Sequence, residues 1–257
     1  MKKRNVIGAI VSGILSLICL LPFCYVLVRS VINQTGGLTL EYYYQVFLAV
    51  TQYLRRFWSS LLLSGIIAAA QVAVSVLAGY GFAKCKFPGK NVLFFALIML
   101  MIMPLQVTLV PNYIVLDEMK LLDTYYALAL PAILVPLGTF IMTQSFRAIP
   151  DEVVDAAKLD GCGTMKILTR VAVPMSKSGL VCTMLLSFLD GWNMVEQPIV
   201  YLKDFADFPI SVALASVPVG EPTVQLVCCI LVALPPVFLF AYYNRELVEG
   251  IALAKEK

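Results

Sequence analysis

Residues 57–83 read FWSSLLLSGIIAAAQVAVSVLAGYGFA, 27 consecutive positions between Arg56 and Lys84 without a charged side chain. A helix needs about 20 mostly apolar residues to cross a hydrocarbon core about 30 Å thick. Small residues recur along this stretch at four-residue spacing, Ser64 with Ala68 and Ser75 with Gly79. A face of that kind lets helix backbones approach closely where lipid supplies no hydrophobic drive to associate. The stretch reads as a spanning helix packed inside a bundle.

Working outward, the same signature recurs. There are 24 uncharged residues between Arg4 and Arg29, 26 between Lys90 and Asp117, 23 between Asp123 and Arg147, and 23 between Glu221 and Arg245. A sixth stretch, Gly179 to Tyr201, is equally long but holds Asp190 and Glu196. Composition agrees, since 60% of the 257 residues are hydrophobic and 14% charged, where a soluble domain carries about a quarter charged residues. The fold class is all-α, a polytopic membrane protein with six transmembrane helices. Proline is expected to break the third span at Pro104, the fourth at Pro131 and Pro136, and the sixth at Pro235 and Pro236, because it frees backbone carbonyls.

Lysine and arginine placement orients the chain. With the N-terminus inside, the inner segments hold 14 of the 19 Lys and Arg residues and the outer ones five: Arg29, Arg55, Arg56, Lys120 and Lys203. Both termini are expected on the cytoplasmic side. The net charge of +3 follows from this asymmetry and is no nucleic-acid footprint. Lys2, Lys3 and Arg4 precede an apolar stretch too long for a signal core and without a small-x-small cleavage site, so an uncleaved first span is expected. The outer segment from Ser30 to Tyr53 offers Thr39 as a cap for a short helix.

Several chemistries are excluded. The sequence has no histidine and its seven cysteines are scattered, which suits neither a zinc site nor a disulfide framework. Without histidine, a zinc protease or a Ser–His dyad has no base or ligand. No Gly-x4-Gly-Lys-Ser/Thr loop cradles phosphates here. The chain is expected to be no enzyme and to bind no cofactor.

The inner loop from Ala148 to Lys177 is long where the other, Lys84–Asn91, is a short turn around Pro88 and Gly89. Pro150 followed by Asp151 and Glu152 marks a helix start, and Gly161 a helix stop. Thr164 can cap a second short helix with Ile167 and Val171 on one face and Lys166 and Arg170 on another, limited by Pro174. Ala156 and Ala157 leave the first helix thin enough to enter a groove on a partner.

This loop resembles the signature of the membrane subunits of bacterial ATP-binding-cassette importers: Glu-Ala-Ala, three residues, Gly, nine residues, then Ile-x-Leu-Pro. Here stand Asp155-Ala156-Ala157, three residues, Gly161, nine residues, then Val171-Ala172-Val173-Pro174. Asp155 replaces Glu, and Val171 and Val173 replace Ile and Leu. The resemblance implies a single permease domain over 1–257, with 148–177 as a cytoplasmic loop that docks on an ATPase through Asp155, Ala156, Ala157, Gly161 and Pro174. It also implies a bacterial cytoplasmic membrane location, with ATP and magnesium held by a partner ATPase dimer. A second permease subunit and an extracytoplasmic solute-binding protein are the other implied partners. Phe146-Arg147-Ala148-Ile149-Pro150, Trp192-Asn193 and Val248-Glu249-Gly250-Ile251 look like the carbohydrate-uptake branch, the smaller six-span subunit of maltose-type permeases. That likeness implies import of a mono- or oligosaccharide by alternating access.

Asp190, Asn193 and Gln197 fall at i, i+3 and i+7, one face of a helix. Charges at bilayer depth usually face a cavity or a partner. The stripe is expected to line the substrate path, with Trp192 offering a stacking face. Interhelical hydrogen bonding would use the same residues. An ion-coupled secondary transporter with Asp190 as carrier is the alternative reading.

Overall fold

The computed structural model describes residues 2–32, 37–49, 51–214 and 222–255. Of the motif Val248 to Ile251, the side chains from Glu249 onward lie outside the described residues, as does Lys257.

The chain is helical throughout its spans. Helix α1 (Lys2–Ser30) leads to α2 (Glu41–Tyr44), which continues as a π-helical turn over Gln45–Ala49. The Glu41 N–H donates to Thr39 Oγ1 at 3.1 Å, but Leu40, not Thr39, stands at the cap position. Helix α3 (Thr51–Lys84) is the quoted span; its 34 residues extend about 51 Å. Then come α4 (Lys90–Ile102) and α5 (Leu105–Glu118), followed by α6 (Tyr125–Ile133) and α7 (Pro136–Arg147). The loop helices are α8 (Asp151–Leu159), α9 (Thr164–Ile167) and α10 (Val173–Met175). The last are α11 (Lys177–Trp192), α12 (Glu196–Tyr201), α13 (Ile210–Ala213) and α14 (Pro222–Lys255).

Among the described residues, four stretches are long and apolar enough to cross a membrane: Ile10–Ser30, Tyr53–Lys84, Tyr125–Arg147 and Thr223–Val248. The third expected span is bent by 107° between α4 and α5. Its cause is Pro104, which forces Met103 into an extended conformation (φ −69°, ψ 126°). Between α6 and α7, Val135 is extended for the same reason before Pro136. Buried Gln71 on α3 holds that gap, its Nε2 donating to Val135 O at 3.2 Å.

Pro131 does not break the fourth span, since α6 runs through it, and two further expectations fail. The fifth span is not one helix over Gly179–Tyr201: α11 ends at Trp192, and Asn193 and Val195 leave helical geometry before α12 begins. The sixth span is not broken at Pro235 and Pro236; α14 runs through both, and its non-helical residue is Tyr243 (φ −112°, ψ 16°).

The core is α3 packed against α7 and α11, with α14 behind α11. The small-residue face does this packing. A Cβ on Gly79 would lie 2.7 Å from Met142 Cβ, and one on Gly191 3.3 Å from Ser64 Cα. Buried Thr143, Ser145, Thr183 and Ser187 each donate to the carbonyl four residues earlier, so their hydroxyls need no partner across the interface. Helix α1 stands apart, packed on one side against α14, and of its described span residues only Ser30, at its end, is buried.

Candidate functional site

Two groups of residues lie at opposite ends of α11. At its start is the loop 148–177. Pro150 caps α8 in an extended conformation (φ −58°, ψ 140°), and Asp151 and Glu152 occupy the first turn, where the helix dipole favours acids. At the other end of α8, Gly161 takes φ +78°. Gly161 N donates to Lys158 O and Cys162 N to Ala157 O, both at 3.0 Å. That bond pair is a Schellman motif with Gly161 at its left-handed position.

The loop is seated by its apolar side. Val154, Ile167, Leu168 and Ala172 are buried with Ile149 against Tyr80 of α3 and Met142 and Phe146 of α7. Its other side is open. Asp155 and Ala156 are exposed, Ala157 half-buried, and Leu159 and Met165 are 90% and 61% exposed. Asp155 Oδ1 accepts from Lys158 Nζ at 2.8 Å, and that hydrogen bond holds the Lys158 ammonium above its ordinary pKa. Lys84, the last residue of α3, donates through Nζ to Ile149 O and Asp151 Oδ1, each at 2.6 Å. That hydrogen bond, reinforced by the ammonium charge, holds the Asp151 carboxyl below its ordinary range.

Thr164 does not cap the second helix: Gly163 stands at the cap position and Thr164 is the first helical residue. Ile167 and Val171 do face inward while Lys166 and Arg170 are exposed. Residues Leu168–Ala172 form a π-helical stretch just before Pro174, which has no N–H to continue an α-helical ladder. Pro174 is exposed, and the chain then turns by 84° into α11 at Ser176.

At the far end of α11 are the polar residues. Asp190 is exposed and makes no hydrogen bond or ion pair among the described residues. Asn193 ends the helix, its main-chain and side-chain N–H groups both donating to Leu189 O at 3.0 and 2.9 Å. Gln197 sits on α12, so it does not continue the face of Asp190 and Asn193; the break at 193–195 cancels the i+7 relation. Trp192 offers no stacking face in this conformation. It is 1% exposed, stacked on Phe188 and met edge-on by Phe57, and its Nε1 donates to Val232 O at 3.1 Å.

A residue pair outside the sequence reading joins this end. Gln106 on α5 donates through Nε2 to Glu196 Oε1 at 2.9 Å, and Tyr201 OH to Leu109 O at 3.2 Å. The bent third span is thereby tied to α12. The other carboxylate oxygen of Glu196 is buried without a partner. The available signal was Gln106 two residues beyond Pro104, within a charge-free run. Among the described residues no group of His, Cys, Asp and Glu is arranged to hold a metal ion.

Residues 71–196 match the family model described as binding-protein-dependent transport system inner membrane component. That range contains the whole loop 148–177. The arabinooligosaccharides transport system permease protein AraQ of Halalkalibacterium halodurans is 28% identical over 231 residues, 89% of this chain and 83% of its own length. The sn-glycerol-3-phosphate transport system permease protein UgpE of Escherichia coli (strain K12) is 29% identical over 205 residues, 76% of this chain and 73% of its own. Among solved structures, a bacterial ABC transporter involved in import of the acidic polysaccharide alginate shares the fold. Its TM-score is 0.78 at 20% identity, covering 95% of this chain and 96% of that one. The MetNI methionine ABC transporter has a TM-score of 0.60 at 13% identity, over 79% of this chain.

Proposed function

We propose, from the premise that this chain belongs to the inner-membrane components of binding-protein-dependent, ATP-driven importers, that it carries an uncharged mono- or oligosaccharide across the membrane by alternating access. The family implies a partner ATPase and a substrate-binding protein. The chain is a transport component with no catalytic site of its own. The ion-coupled reading of Asp190 finds no support.

The observation that carries the docking role is the exposed apolar side of α8. Val154 anchors the helix inward while Ala156, Leu159 and, just beyond, Met165 face outward. Ala156 and Leu159 lie three positions apart on one helix face with Met165 open just beyond, and an exposed apolar patch on a loop otherwise rich in charge marks an interaction surface. On this reading Asp155, Ala156 and Ala157 enter a cleft on one subunit of an ATPase dimer, with Gly161 and Pro174 shaping the turns on either side. ATP binding closes that dimer and moves the loop. A second permease subunit completes the pathway and covers part of the open apolar surface of α1.

The uncharged cargo follows from charge placement. The spans contain two carboxylates, Asp190 and Glu196, and the five charge-free runs hold no lysine or arginine. Within those runs a phosphorylated or acidic sugar would meet no cation. Neutral hydroxyls instead suit Asp190, Asn193 and Gln197, which we assign to the substrate path. A single domain over 1–257, with 148–177 as its coupling loop, completes the assignment.

The test of the docking role is co-purification from mild detergent. Leu159→Glu or Ala156→Trp is expected to abolish capture of the ATPase while the chain's membrane level stays normal. If both variants retain the ATPase at the level of the unaltered chain, the docking assignment is wrong.

A further inference from the structure

We infer that Lys84 is the joint that makes α3 move with α8, a positioning role for a residue outside the loop. The inference rests on the reading that α8 docks an ATPase.

The chain connects the loop to only two spans. Ala148 and Ile149 join α8 to α7, and Ser176 joins α10 to α11. Helix α3 has no chain connection to the loop, yet it is the helix around which the bundle packs. What joins it to α8 is side-chain contact. Part of that contact is apolar, Tyr80 with Phe146 and Val154, and apolar surfaces can slide. The directional part is Lys84.

Its side chain is 8% exposed, unusual for a lysine. The ammonium grips Ile149 O and Asp151 Oδ1 at 2.6 Å each, the acceptors on either side of Pro150. Charge-assisted bonds of this kind are shorter and stronger than neutral ones, and the Ile149 bond is the sheltered one of the two, since the Asp151 side chain is 82% exposed. The clamp therefore holds the first turn of α8 to the last turn of α3.

The other end of α3 is gripped as well. Arg56 donates to Phe205 O at 3.0 Å with its guanidinium 4.5 Å over the Phe205 ring, and Ser60 Oγ accepts from Ile210 N at 2.8 Å. Between these grips α3 is one unbroken helix without proline. A displacement of α8 delivered at Lys84 thus reaches the segment Phe205–Ile210 directly.

The test is made on the complex in nanodiscs, with the seven native cysteines replaced and one reporter, Trp58→Cys. Trp58 is exposed at the far end of α3. Its maleimide labelling rate is compared with and without ATP plus vanadate. With Lys84 present the rate is expected to change by about fivefold or more, the scale of a modest coupling between sites. In Lys84→Met the change is expected to vanish while ATPase capture and nucleotide binding persist. Lys84→Arg, which can donate to both acceptors, restores it. Asp151→Ala, which keeps the Ile149 bond, gives an intermediate response and stands in should Lys84→Met fail to assemble.

Three outcomes overturn the inference: an undiminished response in Lys84→Met, a response equally lost in Lys84→Arg, or no response in the parent complex although the ATPase is bound. Absence of any captured ATPase from the parent chain instead overturns the docking reading itself.

Discussion

The indole Nε1 of Trp192 donates to Val232 O across 3.1 Å, and Val232 is the residue whose carbonyl Pro236, four positions later, has no N–H to reach. One helix thereby supplies the donor that proline removes from another. Trp192→Phe should cost about 1 kcal/mol, in the range of measured interhelical bonds in membranes, and lower the melting temperature of the purified chain by about 2–4 °C. Pro236→Ala should erase most of that difference, because the backbone donor returns. An equal loss in both backgrounds would show that the bond contributes nothing.

Two glycines should fail for different reasons. At Gly161 a Cβ would meet nothing within 4 Å, but φ is +78°, so Gly161→Ala costs about 1–2 kcal/mol of backbone strain. Asn should be tolerated better. At Gly79 the backbone is ordinary and the added Cβ would press on Met142 Cβ at 2.7 Å, an overpacking cost of about 1–3 kcal/mol. Met142→Gly, which removes that Cβ, should relieve part of the cost of Gly79→Ala and leave Gly161→Ala unchanged. Thermal unfolding of the four variants decides both attributions.

The Lys84–Asp151 bond sets a pH window. Asp151 has its pKa lowered from 3.8 by Lys84. A lowered carboxylate pKa stabilises the fold above the unfolded value, and that contribution is lost as pH falls through the folded one. Amide exchange over Ile149–Val154, corrected for its intrinsic rate, should therefore be flat from about pH 5 to about pH 8 and rise only in the acid range below. Asp151→Asn should remove the acid-range rise. A rise already near neutrality would contradict the assignment.

Asn193→Ala and Gln197→Ala should each reduce uptake by about tenfold, the effect of about 1.4 kcal/mol, with normal complex levels. Intact uptake in both would remove these amides from the substrate path.

What the sequence made legible was local. Pro104 bends the third span because the restriction on Met103 acts between neighbours, and α8 was bounded in advance because Pro150 and Gly161 act within one turn. The misreadings came from distant partners. Nothing at 193–195 is a proline or glycine, so the break after Trp192 had no local mark; α12 is fixed by Gln106 and Leu109 on another helix. Pro235 and Pro236 read as a break, yet the ladder runs on with Trp192 supplying a missing donor. The face of Trp192 was likewise spoken for by Phe57 and Phe188, which no spacing rule reveals.

Leu159 has a further consequence for the life of the chain before it meets its partners. A residue 90% open to solvent at the tip of a water-facing helix is an adhesive spot until something covers it. A newly inserted copy would present that spot to chaperones and proteases that recognise exposed apolar groups, and an assembled copy would hide it. The side chain that seats the subunit would then also serve as its mark of incompleteness, so surplus copies would be cleared and subunit numbers kept in step.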